Sequence, residues 1–195
     1  MYIYYDNINN YSLKEYINYY NELSDYDKNK IDKLIITRKK QSILARILLK
    51  NILKNKYNIN YNDIIVKYNK YGKPFINNIN FNISHSHDYV IVATSNKNIG
   101  IDIEMIRDYN PTSMNLFCTD NEIKYINNNQ NKKLAYWKIY TLKEAYFKML
   151  GTNLSNMKNV EFNILKNKIT CVNNENLKIF VSTEINNYIF SIIHE

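Results

Sequence analysis

Asp102 and Glu104 stand two residues apart in the segment Ile99-Gly100-Ile101-Asp102-Ile103-Glu104. On a β-strand that spacing puts both carboxylates on one face and turns Ile101 and Ile103 to the other, toward a core. Paired carboxylates repel each other unless a cation lies between them. An all-oxygen donor set suits Mg²⁺, which keeps some of its waters and binds substrate phosphates. An exposed acidic face on an edge strand would carry the same pattern. Glu144 and Lys148 are four apart in Leu142-Lys143-Glu144-Ala145-Tyr146-Phe147-Lys148, so a helix presents them on one face, with Lys143 alongside. They make either a surface ion pair or a third carboxylate ligand with an ammonium that neutralises a phosphate. His85 follows the apolar segment Phe81-Asn82-Ile83-Ser84 and leads into Ser86-His87-Asp88. A strand end carrying Ser and His suits phosphate oxygens, whereas two His two apart also suit a transition metal. No third soft ligand is near in sequence, and a turn that satisfies its own backbone is the plain alternative. Lys28, Arg38, Lys39, Lys40, Arg46 and Lys50 make the first third basic. They form a solvated helix face or a docking patch for phosphates.

These groups must be held by regular elements. Tyr2 to Tyr5 alternates weakly, as a short strand would. Ser12 and Glu15 form a capping-box pattern that predicts a helix over about Leu13 to Leu23, and Ser24 or Asp25 can cap a second helix. Ile43, Leu44, Ile47, Leu48 and Ile52 recur at helical spacing and predict a helix from Lys39 to Leu53. Ile64 to Tyr68 reads as a strand, followed by turn chemistry in Tyr71-Gly72-Lys73-Pro74. Phe81 to Ser84, Tyr89 to Thr94 and Ile99 to Ile103 read as strands. Arg107 to Thr112 is polar, contains Pro111 and reads as a loop between halves. A helix capped by Thr119 or Asp120 runs to about Asn127, and a long one covers Lys132 to Leu150, with Gly151 in C-cap position. Three short strands are expected in the tail, over Val160 to Leu165, Leu177 to Ser182 and Tyr188 to Ile193. The order is helices then strands, twice. It predicts an α+β fold of two similar halves, residues 1–106 and 107–195.

Composition narrows the classes. The chain has 195 residues, 45% hydrophobic, long enough to bury a core without staples. Its net charge of +8 favours anionic partners: nucleic acid, an anionic membrane surface, a polyphosphate or an acidic protein. Cys118 and Cys171 are far apart, with no zinc spacing, and are expected to be reduced thiols. The start reads unlike a signal peptide and no apolar run has the length of a membrane span, so a cytoplasmic location is expected. There is no Walker A loop, no dinucleotide-binding glycine pattern and no nucleophile elbow.

The order and spacing of these segments resemble the Sfp-type 4′-phosphopantetheinyl transferase family. The matching segments are Tyr71-Gly72-Lys73-Pro74, Phe81 to Ser86, Ile99 to Glu104, Phe117 to Glu122 and Leu142 to Lys148, with the helix segment Ala45 to Lys50. The resemblance runs from about Asn21 to about Leu165. It implies two α+β halves in a pseudo-two-fold arrangement, acting as a monomer, with coenzyme A between them. It implies Mg²⁺ on Asp102, Glu104 and Glu144, with Lys148 on the pyrophosphate; the base would be Glu144 or a water held by the metal. His85 would contact the 3′-phosphate, Lys73, Pro74 and Ser84 would line the adenosine end, and Lys39, Lys40 or Arg46 would supply further cations. Where relatives often carry a basic residue and a Trp, this chain has Gln41 and Tyr140. The implied reaction is transfer of phosphopantetheine to a serine of an apo acyl or peptidyl carrier protein, the activity of a holo-acyl-carrier-protein synthase. No nucleic acid and no membrane would take part. The rival reading is a non-catalytic, basic nucleic-acid-binding module, which leaves the paired acids unexplained.

Overall fold

The computed structural model describes every residue except 62, 63, 65, 77, 166, 167, 184 and 186. In chain order the elements are β1 Tyr2–Asn7, α1 Leu13–Asn21, α2 Asp25–Ile31, α3 Ile36–Tyr57, β2 Lys67–Tyr68, β3 Pro74–Phe75, β4 Asn80–Ser86, β5 Tyr89–Ser95 and β6 Ile99–Met105. They continue with α4 Met114–Phe117, α5 Asp120–Asn128, α6 Lys132–Leu150, β7 Phe162–Leu165, β8 Lys168–Cys171, β9 Lys178–Ser182 and β10 Tyr188–His194. The chain is α+β, as expected. Among the described residues no helix is long and apolar enough to cross a membrane.

The helix ends follow local chemistry. Ser12 with Glu15 and Thr119 with Glu122 close reciprocal capping boxes, and Ser24 caps α2. Gly151 ends α6 in the left-handed region, at φ 66°. α3 extends beyond its expected Lys39–Leu53 at both ends and closes on Asn58 at φ 54°. The strand expected over Ile64 to Tyr68 is confined to Lys67–Tyr68 among the described residues, Ile65 lying outside them. β7 lies within the strand expected over Val160 to Leu165, and β8, which pairs with it, is an addition, because four residues of alternation are too short a signal to read.

Two antiparallel three-stranded sheets carry the site, with strand orders β1-β5-β4 and β6-β10-β9. The division expected after residue 106 follows β6 in the chain, yet β6 pairs with β10 from the far end. Alternation then assigns each face. Val90 and Val92 of β5 pack with α3, while Ile91 and Ala93 join Ile99, Ile101 and Ile103 of β6 and Phe190 and Ile192 of β10 in a core shared by both sheets. The opposite face of the second sheet, through Ile189 and Ile193, packs on α6.

The two sheets meet at β4 and β6, which are joined by side chains. The N–H groups of Ile101, Ile103 and Met105 donate to Asn82 Oδ1 (3.0 Å), Ser84 Oγ (3.2 Å) and Ser86 Oγ (3.2 Å). The constant offset of 19 residues makes the strands parallel across this seam. A second tie crosses between halves at the β2–β3 hairpin, where Asn69 Nδ2 donates to Gly151 O (2.8 Å) and Lys73 Nζ to Met149 O (2.7 Å).

Candidate active site

Gly100 sets how closely α6 approaches β6. A Cβ there would lie 1.9 Å from Ala145 O and 2.4 Å from Met149 N, inside the helix backbone. Only glycine lets backbone meet backbone at this distance. The close approach brings Lys148 of α6 to Asp102 of β6, with Nζ 2.6 Å from Oδ1, and Nζ also reaches Ser84 Oγ at 3.0 Å.

A cleft of about 390 Å³ opens at the seam, lined by Arg38, Ile83, Ser84, His85, Asp102, Glu104, Glu144 and Lys148. Asp102 is only 3% exposed and Glu144 8%. Ser84 donates to Asp102 Oδ1 (2.7 Å), Ser86 to Glu104 Oε2 (2.7 Å) and Tyr140 to Glu144 Oε1 (3.0 Å). Arg107 Nη1 also reaches Glu104 Oε2, at 3.2 Å, and its guanidinium lies over the Trp137 ring. Among the described residues, Asp102 Oδ2 is buried without a hydrogen-bond partner. Burial pushes the Asp102 carboxyl up to about 6. Lys148 opposes the rise and the charges of Glu144 and Glu104 add to it. Among the described residues no three His, Cys, Asp or Glu groups form a ready-made metal cage. The three carboxylates instead share one cleft with the Lys148 ammonium between strand and helix.

Arg38 is the cation that faces this cleft from the first half. Its Nη1 lies 2.8 Å from His85 Nδ1 and 2.9 Å from Nε2, so whichever ring nitrogen is unprotonated accepts. Gln41 receives a second bond from Arg38 (3.2 Å) and donates to His87 O (2.7 Å), locking the end of α3 to the β4–β5 turn. Burial, then Arg38 and Lys148, hold the His85 imidazole down at about 4. The unfolded chain takes that proton near 6.5, so this residue removes folding stability as pH falls from 6.5 toward 4. Asp102, raised from 3.8 to about 6, acts oppositely and adds stability as pH falls through the same window. His85→Gln should therefore resist acid better than the parent, by about 2–3 kcal/mol between pH 6.5 and 4. Melting curves across that range would show it, and a pH-independent difference between the two proteins would contradict it.

The further cations expected are not in the cleft. Arg46 pairs with Asp27 (2.7 Å) and donates to Ser42 O, while Lys40 Nζ lies over the Tyr16 ring. The reason is helical phase. At about 100° per residue Lys40 is turned about 200° from Arg38, and Arg46 is about 12 Å farther along the axis. Lys143 is corrected in the same way. One residue from Glu144, it points into the second half and forms a fully buried pair with Glu122 at 2.7 Å. Lys73 and Pro74 line an adjoining recess of about 230 Å³ that shares Ile83 and Lys148 with the cleft. Burial holds the Lys73 ammonium down at about 8, and it donates to Ile99 O and Met149 O. Ser84 reaches into the carboxylates through its hydroxyl rather than standing free beside the recess.

Residues 98–193 match the family model described as the 4′-phosphopantetheinyl transferase superfamily, and residues 10–97 match that of the 4′-phosphopantetheinyl transferase N-terminal region. The chain belongs to the 4′-phosphopantetheinyl transferase superfamily. The two family models divide this transferase-superfamily chain at 97/98, just before β6. It is 35% identical over 117 residues to a 4′-phosphopantetheinyl transferase of Aneurinibacillus migulanus, covering 58% of this chain and 49% of that one. It is 28% identical over 160 residues to an L-aminoadipate-semialdehyde dehydrogenase-phosphopantetheinyl transferase of Xenopus laevis, covering 71% and 53%. The chain thus spans about half the length of the curated relatives it matches. Among solved structures, the holo-acyl-carrier-protein synthase of Thermotoga maritima aligns with a TM-score of 0.43 at 19% identity, over 50% of this chain and 61% of that one.

Proposed function

We propose that this protein transfers the 4′-phosphopantetheine arm of coenzyme A to a serine of an apo acyl or peptidyl carrier protein, releasing adenosine 3′,5′-bisphosphate, with Mg²⁺ held by Asp102, Glu104 and Glu144. The reading has it acting as a monomer in the cytoplasm. The observation that carries it is the cleft itself, where three carboxylates, Lys148, Arg38 and His85 face one space at the junction of the halves. Mg²⁺ fits the residues present. The donors are all oxygens, and Asp102 Oδ2 is buried without a partner among the described residues. When bound, the ion would offset the negative charge of the pyrophosphate and of the carboxylates.

The side chains do the rest. Lys148 approaches the pyrophosphate from α6 and neutralises charge that builds on its oxygens as the bond to the phosphopantetheine phosphate breaks. Arg38, steadied by Gln41, holds the 3′-phosphate with His85. The recess at Lys73 and Pro74 takes the adenosine end. Glu144, oriented by Tyr140, accepts the proton of the carrier serine hydroxyl as that oxygen attacks the β-phosphate. Positioning supplies much of the rate, because the attacking oxygen and the phosphorus are held together in line. The net charge of +8 speeds encounter with coenzyme A and acidic carriers, an effect that salt weakens.

Incubation of a panel of apo carrier proteins with coenzyme A, with and without Mg²⁺, tests the reading by intact mass. A metal-dependent gain of one phosphopantetheinyl group is expected. No gain, on a panel that another transferase modifies, would overturn it. Salt-sensitive retention on RNA without turnover would instead favour a basic nucleic-acid-binding module. Within the reading, Arg38→Ala should raise the KM for coenzyme A about tenfold, the worth of one charge-assisted phosphate contact, and change kcat far less. Steady-state kinetics with varied coenzyme A checks it.

A further inference from the structure

Each carboxylate of the cleft is gripped by one neutral hydroxyl, and always at one oxygen. Ser84 and Lys148 both take Oδ1 of Asp102, Ser86 and Arg107 both take Oε2 of Glu104, and Tyr140 takes Oε1 of Glu144. Two of these hydroxyls come from a repeat across the seam. Ser84 and Ser86 are two apart on β4, Asp102 and Glu104 two apart on β6, and each pair is separated by 18 residues. The donors are themselves fixed. Ser84 and Ser86 each accept an N–H from β6, at Ile103 and Met105, which directs the single hydroxyl proton to the carboxylate. The Tyr140 ring is wedged edge-on against Phe117 (5.3 Å) and Trp137 (5.5 Å). A neutral donor orients a carboxylate without cancelling its charge; on Asp102 and Glu104 the hydroxyl shares its oxygen with Lys148 or Arg107, and in each case the hydroxyl and the cation leave the other oxygen free of them.

We propose that Ser84, Ser86 and Tyr140 are positioning residues, each holding one oxygen of a cleft carboxylate so that the other is presented to a divalent cation. The proposal rests on the metal assignment made above, and its test does not need turnover. Mn²⁺ is titrated into the protein without coenzyme A or carrier, with free ion read by electron paramagnetic resonance. The parent is compared with Ser86→Ala, Ser86→Thr and Tyr140→Phe, the last removing one oxygen and leaving the ring. Ser86→Ala and Tyr140→Phe should each weaken Mn²⁺ binding about tenfold, and Ser86→Thr, which restores the hydroxyl, should bind like the parent. Metal-free melting temperatures report folding separately. Unchanged Kd in both deletion variants, equal weakening in Ser86→Thr and Ser86→Ala, or a parent that binds no Mn²⁺ would each overturn the proposal. The expected Mn²⁺ pattern in a parent that transfers no phosphopantetheine would support the positioning role and overturn the transferase reading.

Discussion

Within the proposed reaction, Asp102→Asn should slow phosphopantetheine transfer by about two to three orders of magnitude, because it removes one charged ligand of the cation that would offset the negative charge of the reacting phosphate. The same substitution should not cost stability. Asp102 is buried and ionises only near pH 6, so above that pH the native protein carries the expense of a desolvated carboxylate, relieved in part by Lys148. Its neutral, isosteric replacement removes that expense while keeping an acceptor for Ser84. The melting temperature of Asp102→Asn at pH 8 without divalent ions should equal or exceed that of the parent. Slow transfer with unchanged or raised stability is the signature of a residue kept for chemistry. A variant that transfers at the parental rate would remove Asp102 from the site. One that is slow because it has melted would show a structural role.

Gly100→Ala should be the most damaging single-methyl change in the cleft. The added Cβ falls within the backbone of α6, and neither Ala145 O nor Met149 N can move without displacing the helix. Overpacking against backbone exceeds the 1–3 kcal/mol usual for an extra methylene, and about 3–5 kcal/mol of destabilisation is expected. The helix that is pushed away carries Glu144 and Lys148, so transfer should fall at least as far as in Asp102→Asn. Urea unfolding measures the first effect and carrier modification below the transition the second. A Gly100→Ala protein of parental stability would mean that α6 does not rest on β6 as described.

Much of this was legible in the chain. Alternation in Ile99 to Glu104 puts two acids on one face and three isoleucines on the other, and Ile99, Ile101 and Ile103 are fully buried. The capping boxes at Ser12 and Thr119 and the left-handed Gly151 mark helix ends through contacts a few residues long. The phase of the helices was less legible. α3 carries basic residues on several sides, and periodicity alone does not say that Arg38 faces the cleft while Arg46 faces Asp27. The adjacent Lys143 and Glu144 have opposite fates, because Glu122 waits on the inner side for the lysine and Tyr140 on the cleft side for the glutamate.

The sequence by itself determined the α+β order of elements, the shared strand face of Asp102 and Glu104, the shared helix face of Glu144 and Lys148, and the family; that Lys148 pairs with Asp102 rather than with Glu144 was left to the tertiary structure. The two acid faces live in spacings of two to four residues, where backbone geometry leaves little freedom, and the family lives in the order of short motifs along the chain. The tertiary structure alone decided that β6 leaves its sequence neighbours to pair with β10, that Ser84 and Ser86 reach the acids across the seam, and that Arg38 is the cation of the first half. Each of these depends on contacts between residues 18 to 95 positions apart, as from Ser84 to Asp102 and from Ile99 to His194. Such contacts are set by which apolar faces pack together, and no local pattern records that choice.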